Sequence, residues 1–240
     1  MIVYDLGKVW RVITQHDHAA LSAELLSLWR ADGLPGHPRR EDLLFAVREH
    51  DNGWLEADSS PRCRADGRPH DFISVPAPWR REIWRRGVFR HVAERPYSAL
   101  LIAQHALALH RRQAEREDWR ASVEAWEALR EELLEQAGAQ REEMLADYRF
   151  LALADSLSLA VCAGFKGSSE IDGWRYSARL EADRLELALD PFPLAGATTL
   201  EIACRDLEAG SYGGDVELSV ALASCRWRRV PVRLVPLKTP

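Results

Sequence analysis

Apolar positions along the chain fall into three zones, each with its own period. Residues 2–14 alternate: Ile2-Val3-Tyr4, a turn at Asp5-Leu6-Gly7, then Val9 to Ile13, which predicts a β-hairpin. Residues 15–165 are helical in period. Leu21, Leu25, Leu28 and Trp29 share one face, and Gly33-Leu34-Pro35-Gly36 breaks the pattern. A second short helix is predicted from about Arg40 to Asp51, with Gly53 placed to end it. A loop rich in Pro, Ser, Asp and Gly covers roughly 56–78, and further helices are expected near 78–94, 97–116, 118–137 and 139–163. In residues 166–240 the period returns to two, in runs such as Trp174-Tyr176-Ala178-Leu180, Leu185-Leu187-Leu189 and Val216-Leu218-Val220-Leu222. Leu200-Ile202 and Val230-Val232-Leu234 complete the set, with turns at Asp190-Pro191 and Gly210 to Gly214. The expectation is an antiparallel sheet over 166–240 that the 1–14 hairpin helps complete, around a helical domain at 15–165.

Composition changes this picture little. With 47% hydrophobic and 29% charged residues, the 240-residue chain reads as an ordinary globular protein. A net charge of −5 gives no electrostatic case for nucleic acid or an anionic membrane. The apolar run from Phe150 to Phe165 is interrupted by Asp155 and is too short to span a bilayer. Four dispersed cysteines without a Cys-x-x-Cys pair argue against a zinc ribbon or a disulfide framework. Met1 to Gln15 lacks the layout of a signal peptide, so the expected location is cytoplasmic.

The informative feature is a set of acidic and imidazole side chains on apolar helix faces. His18 shares the face of Leu21 and Leu25, and His50 with Asp51 follows Leu43 and Val47. Asp155 lies on a face with Tyr148, Leu151 and Leu159, and His105 sits in a helix that is apolar nearly all round. An ionised carboxylate in such a place costs several kcal/mol unless it has a cation or a donor network. A divalent metal would neutralise both aspartates and use neutral imidazoles as ligands. The bland alternatives are an arginine partner for Asp155, a helix-end and turn role for His50-Asp51, and a satisfied core position for His105. Trp54 and Asp58 read as pocket wall and loop anchor. His70, His91 and His110 read as surface residues, and His37 as loop.

A His, then an adjacent His-Asp pair, then a distant Asp, all on helices, resembles the HD superfamily. Glu49-His50-Asp51-Asn52-Gly53 is similar to its His-Asp-x-Gly signature, and Ala154-Asp155-Ser156-Leu157-Ser158 to its closing Ala-Asp-x-Leu-Ser. A resemblance covering more of the chain rests on Trp10 to His18, His50 to Trp54, Asp71 to Pro76 and Asp190-Pro191-Phe192-Pro193. Those strings resemble an uncharacterised bacterial domain-of-unknown-function family (DUF3891). Gln15-His16-Asp17-His18 departs from that pattern, having His16 where proline is expected.

These resemblances imply a helical HD-like bundle, which with the sheet expected from the period-two runs makes an α+β fold, mainly helical, with a C-terminal antiparallel β subdomain completed by the hairpin. They imply a metal-dependent hydrolase, foremost a phosphohydrolase. His18, His50, Asp51 and Asp155 would be the ligands of Mn, Fe, Mg or a similar divalent ion, and Asp51 and His105 the catalytic groups. The partner would be a small phosphorylated molecule; a homodimer is left open. Two alternatives stand beside this reading: a di-iron oxygenase using His70, His91 and His105, and a non-catalytic regulatory module with a closed structural site. His16-Asp17-His18 after a strand also matches an amidohydrolase barrel, but such a barrel needs eight alternating strand–helix units. No P-loop, Gly-x-Gly-x-x-Gly, Gly-x-Ser-x-Gly or His-Glu-x-x-His motif occurs.

Overall fold

The computed structural model describes residues 1–164, 167–181 and 184–237. The hairpin forms as β1 (Ile2–Asp5) and β2 (Val9–Ile13), paired antiparallel with Ile2 opposite Ile13. Helix α1 (Gln15–Ser27) starts where Thr14 Oγ1 accepts the Asp17 N–H at 3.0 Å. Helix α2 (Arg40–Glu49) ends at His50, and a 3-10 turn over Asn52–Trp54 leads into the short α3 (Leu55–Ser59). Helices α4 (Ala77–Phe89), α5 (Pro96–His110), α6 (Glu117–Gln136) and α7 (Arg141–Cys162) follow. A reciprocal Gln140–Glu143 capping box opens α7. Helix α5 is central, and its residues from Tyr97 to Ala103 are all buried.

The remaining strands are β3 (Gly167–Ile171), β4 (Trp174–Glu181), β5 (Arg184–Asp190) and β6 (Thr198–Glu208). Then come α8 (Asp215–Ser224) and β7 (Trp227–Pro236). Among the described residues they form one seven-stranded sheet in the order β1-β2-β6-β7-β5-β4-β3, curled into a half-barrel.

This overturns the expected architecture. The molecule is not a mainly helical HD-like bundle carrying a small antiparallel β subdomain. The sheet is mixed, because β7 inserts between β6 and β5, antiparallel to the first and parallel to the second. Alternation reports which side chains face the core and is silent on strand order and direction. The hairpin joins the sheet where Trp10 of β2 pairs with Leu207 of β6. Ile2 and Ile13, the helical residues Leu25 and Leu101, and the strand residues Leu187 and Val232 share one hydrophobic core. Trp29, just past α1, meets Trp174 of β4 edge-on at 4.7 Å, so helices pack directly on the sheet.

The run Val216-Leu218-Val220-Leu222 is helix rather than strand. Leu218 and Leu222 lie one turn apart, bury completely or nearly so, and cover Trp10, Val12 and Leu207 on the sheet's outer face. Val216 and Val220 face outward at 79% and 61% exposure. An apolar residue at every second position also contains the i, i+4 spacing of a helix face, so this short run satisfied both templates.

Candidate metal centre

His18 stands in the first turn of α1, His50 caps α2, Asp51 follows it, His105 lies on α5 and Asp155 on α7. All five are at least 93% buried. The fold brings them together. His18 Nε2 lies 3.0 Å from Asp155 Oδ1 and 3.9 Å from Asp51 Oδ2. His50 Nε2 lies 3.4 Å from Asp155 Oδ1 and 3.5 Å from Asp51 Oδ2, and His105 Nε2 3.7 Å from Asp155 Oδ2. Two overlapping triples, His18-His50-Asp51 and His50-His105-Asp155, each have their donor atoms within 4.8 Å of one another and could hold a metal ion.

The far sides of the imidazoles are held from behind. His50 Nδ1 donates to the Val47 carbonyl at 2.7 Å, which presents Nε2 to the cluster. That Nε2 is buried without an aligned hydrogen bond, so its 3.4 Å approach to Asp155 is electrostatic attraction rather than a formed hydrogen bond. His18 Nδ1 meets Ser158 Oγ at 2.8 Å, and Ser158 Oγ meets Ser22 Oγ at 2.6 Å. His105 Nδ1 meets the Tyr148 hydroxyl at 3.2 Å.

Electrostatics follow from burying two carboxylates side by side. Burial pushes the His105 pKa down to about 3, leaving the ring neutral. Burial also disfavours charge on His50, but the negative charges of Asp51 and Asp155 outweigh it and raise its pKa to about 9. Burial raises Asp51 despite His50 and His18. Asp155 is likewise penalised by burial, yet His18 and His50 hold it well below the usual carboxylate range. The arginine partner considered for Asp155 is replaced by three imidazoles. The two carboxylates favour a cation at His50 Nε2, and a metal would compete with a proton for that lone pair.

The stretch after His50 is built for position. Asn52 Nδ2 donates to Glu49 O at 2.7 Å and to Gly87 O of α4 at 3.1 Å. A Cβ on Gly53 would lie 2.0 Å from the Ile83 carbonyl oxygen. Gly53 therefore does not serve to end α2; it lets the 3-10 turn touch α4. Asp58 anchors α1, accepting the Gln15 N–H at 2.6 Å. Trp54 walls a cleft of about 240 Å³ whose lining includes Asp51, Asp155, His105, Arg80 and His110.

The other histidines lie outside the cluster. His91 faces Glu49 at 3.5 Å and packs on Phe45, and His70 packs on Trp79 with Nδ1 3.1 Å from Ser74 O. Among the described residues neither joins a metal-capable group. His37, read as loop, pairs with the buried Asp147 at 3.0 Å. His110, read as a surface residue, is buried, stacked 4.8 Å from Trp119 and edge-on to Trp84. Arg80, which together with Arg81 reads from the sequence as a solvated helix face with a phosphate site as the lesser reading, lines the cleft, whereas the roles of Ser158 and Tyr148 went unread. Tyr148, seven residues before Asp155, is legible on its helix face, and Ser158, three residues after it, shares that face by the same spacing.

A curled mixed sheet backing a helical layer, with buried imidazoles and carboxylates at the helix junction, defines an α+β protein with a candidate metal centre. The chain belongs to the family described as "Protein of unknown function (DUF3891)", whose model matches residues 1–209. No curated protein and no solved structure matches it. Among the described residues no helix is long and apolar enough to cross a membrane.

Proposed function

We propose that this protein is a metal-dependent hydrolase acting on a phosphate ester or related bond, with His18, His50, Asp51 and Asp155 holding a divalent ion. The observation carrying the reading is the His50 Nε2 atom, buried without a hydrogen-bond partner and facing two carboxylates. Two imidazoles and two carboxylates suit Mn, Fe or a similar ion better than a soft thiophile. When bound, the ion would supply Lewis acidity and a water of lowered pKa. The side-chain order matches that of HD phosphohydrolases, which favours phosphate esters as the substrate class, although the fold around it differs.

The chain's own residues would do the rest. Val47 O and Ser158 orient the two imidazoles. His105 lines the cleft and is placed to hydrogen-bond a leaving-group oxygen, its ring steadied by Tyr148. Trp54 and Trp84 shield one side of the cleft from water. Because the cluster borders a cleft, it suits a catalytic site better than a closed structural one. The di-iron alternative loses two of its three extra ligands, since His70 and His91 lie outside the cluster.

The test is metal analysis of protein purified without chelator, followed by a screen of phosphate esters, for wild type and Asp155→Asn. About one divalent ion per chain, with both ion and hydrolysis lost in the variant, is expected. Equal metal content and equal turnover in the two proteins would overturn the reading.

A further inference from the structure

Arg80, in the first turns of α4, lines the same cleft as Asp51, Asp155 and His105. Its Nη2 donates to the carbonyls of Ile73 at 2.6 Å and Val75 at 3.3 Å. Its Nε is buried without a hydrogen bond. Among the described residues no carboxylate forms an ion pair with it, a contrast with its neighbour Arg81, which pairs with Asp118 at 2.8 Å. Asp71 lies near enough to bias Arg80 electrostatically, but its Oδ1 accepts the Ile73 and Ser74 amides at 3.1 and 2.6 Å. A guanidinium is always charged and carries five donors in a planar fork. Two backbone carbonyls use one arm of that fork and neutralise none of the charge. A partly buried cation with free donors beside a cleft that also holds the His/Asp cluster is half of an anion site.

We infer that Arg80 is the anion-recognition residue of the cleft, gripping the phosphoryl oxygens of the substrate opposite the His/Asp cluster. The inference rests on the reading of this cleft as the substrate site. It goes further in assigning specificity for an anionic, tetrahedral group to a residue outside the cluster. The carbonyl contacts to Ile73 and Val75 pre-orient the guanidinium, and they tie the 70–76 loop to the site, so substrate charge and loop position are coupled through one side chain.

The experiment titrates inorganic phosphate calorimetrically into the full chain, both metal-free and Mn-loaded, for wild type, Arg80→Ala, Arg80→Lys and Arg81→Ala. Acetate titrated in parallel separates recognition of phosphate from general attraction of anions. Loss of charge-assisted hydrogen bonds is expected to weaken phosphate binding by about tenfold or more in Arg80→Ala. Lysine, keeping the charge without the fork, is expected to fall between. Arg81→Ala, which removes the same unit of charge from the neighbouring position, is expected to match wild type, and metal content to be equal in all four proteins. Should Arg80→Ala prove unstable, Arg80→Lys alone decides, since it preserves a donor to the loop carbonyls. Phosphate affinity unchanged by either variant, or no phosphate binding by wild type in both forms, would overturn the inference and leave Arg80 as a loop staple. Acetate binding as tight as phosphate and equally dependent on Arg80 would overturn the phosphate assignment. A protein that binds no metal yet loses phosphate with Arg80 would instead sink the hydrolase reading and keep this one.

Discussion

If the His/Asp cluster takes up a metal, the folded state should be stabilised by it, and His50→Ala should remove that stabilisation. His50 is the best single perturbation because its Nε2 belongs to both overlapping triples. A ligand that binds only the folded chain adds about 2.7 kcal/mol at a hundredfold excess over its dissociation constant. Unfolding entropy near 60 °C is about 2.1 cal/mol/K per residue, hence about 0.5 kcal/mol/K for a chain of this length. The expected rise in melting temperature is therefore about 5 °C for wild type with Mn²⁺ against chelator. In His50→Ala it should be near zero at the same metal concentration. The metal-free melting temperatures form a separate comparison, since the alanine also deletes the hydrogen bond to Val47 O and leaves a small void. Differential scanning calorimetry with and without Mn²⁺ measures both. A metal-dependent rise in His50→Ala as large as in wild type would show that any bound ion sits elsewhere.

Two further outcomes test the fold around the site. Burial lowers the His110 pKa from 6.5 to about 4, so the folded state keeps the ring neutral while the unfolded chain takes a proton. Its contribution is complete above pH 6.5 and is lost as pH falls toward 4, by at most roughly 3 kcal/mol. Urea unfolding of wild type and His110→Gln from pH 7 to 4 should show the wild-type advantage shrinking with acid; a pH-independent difference would refute it. In α8, Leu218→Asp places a charge at a fully buried position and should cost about 3 kcal/mol or more, whereas Val216→Asp at the exposed first turn should change stability by less than about 0.5 kcal/mol. Equal losses would instead mean that both positions share one buried face, as in a strand.

Periodicity located the long helices α1, α2 and α4 to α7 because an amphipathic face repeats locally, though it ran α4 and α5 past their ends and missed α3 and α8, and it put His18, His50, Asp51 and Asp155 on inward faces. That the four, with His105, approach one another was hinted by the cost of burying two aspartates, which demands shared counter-charge. Other features were illegible for stated reasons. Leu218 and Leu222 fit two templates at once. The reach of Arg80 into the cleft depends on where the 70–76 loop runs, and the stacking of His110 on Trp119 depends on how α5 meets α6. Even Gly53, legible as a turn residue, took its meaning from α4 lying against it.

Sequence by itself settled where the long amphipathic helices lie, which of their side chains turn inward and which residue types are available for chemistry, since each is a property of neighbours along the chain. Tertiary structure alone decided the order of strands in the mixed sheet, the partners of each buried charge and the cleft beside them. Those depend on contacts between residues far apart in sequence, which no local period encodes.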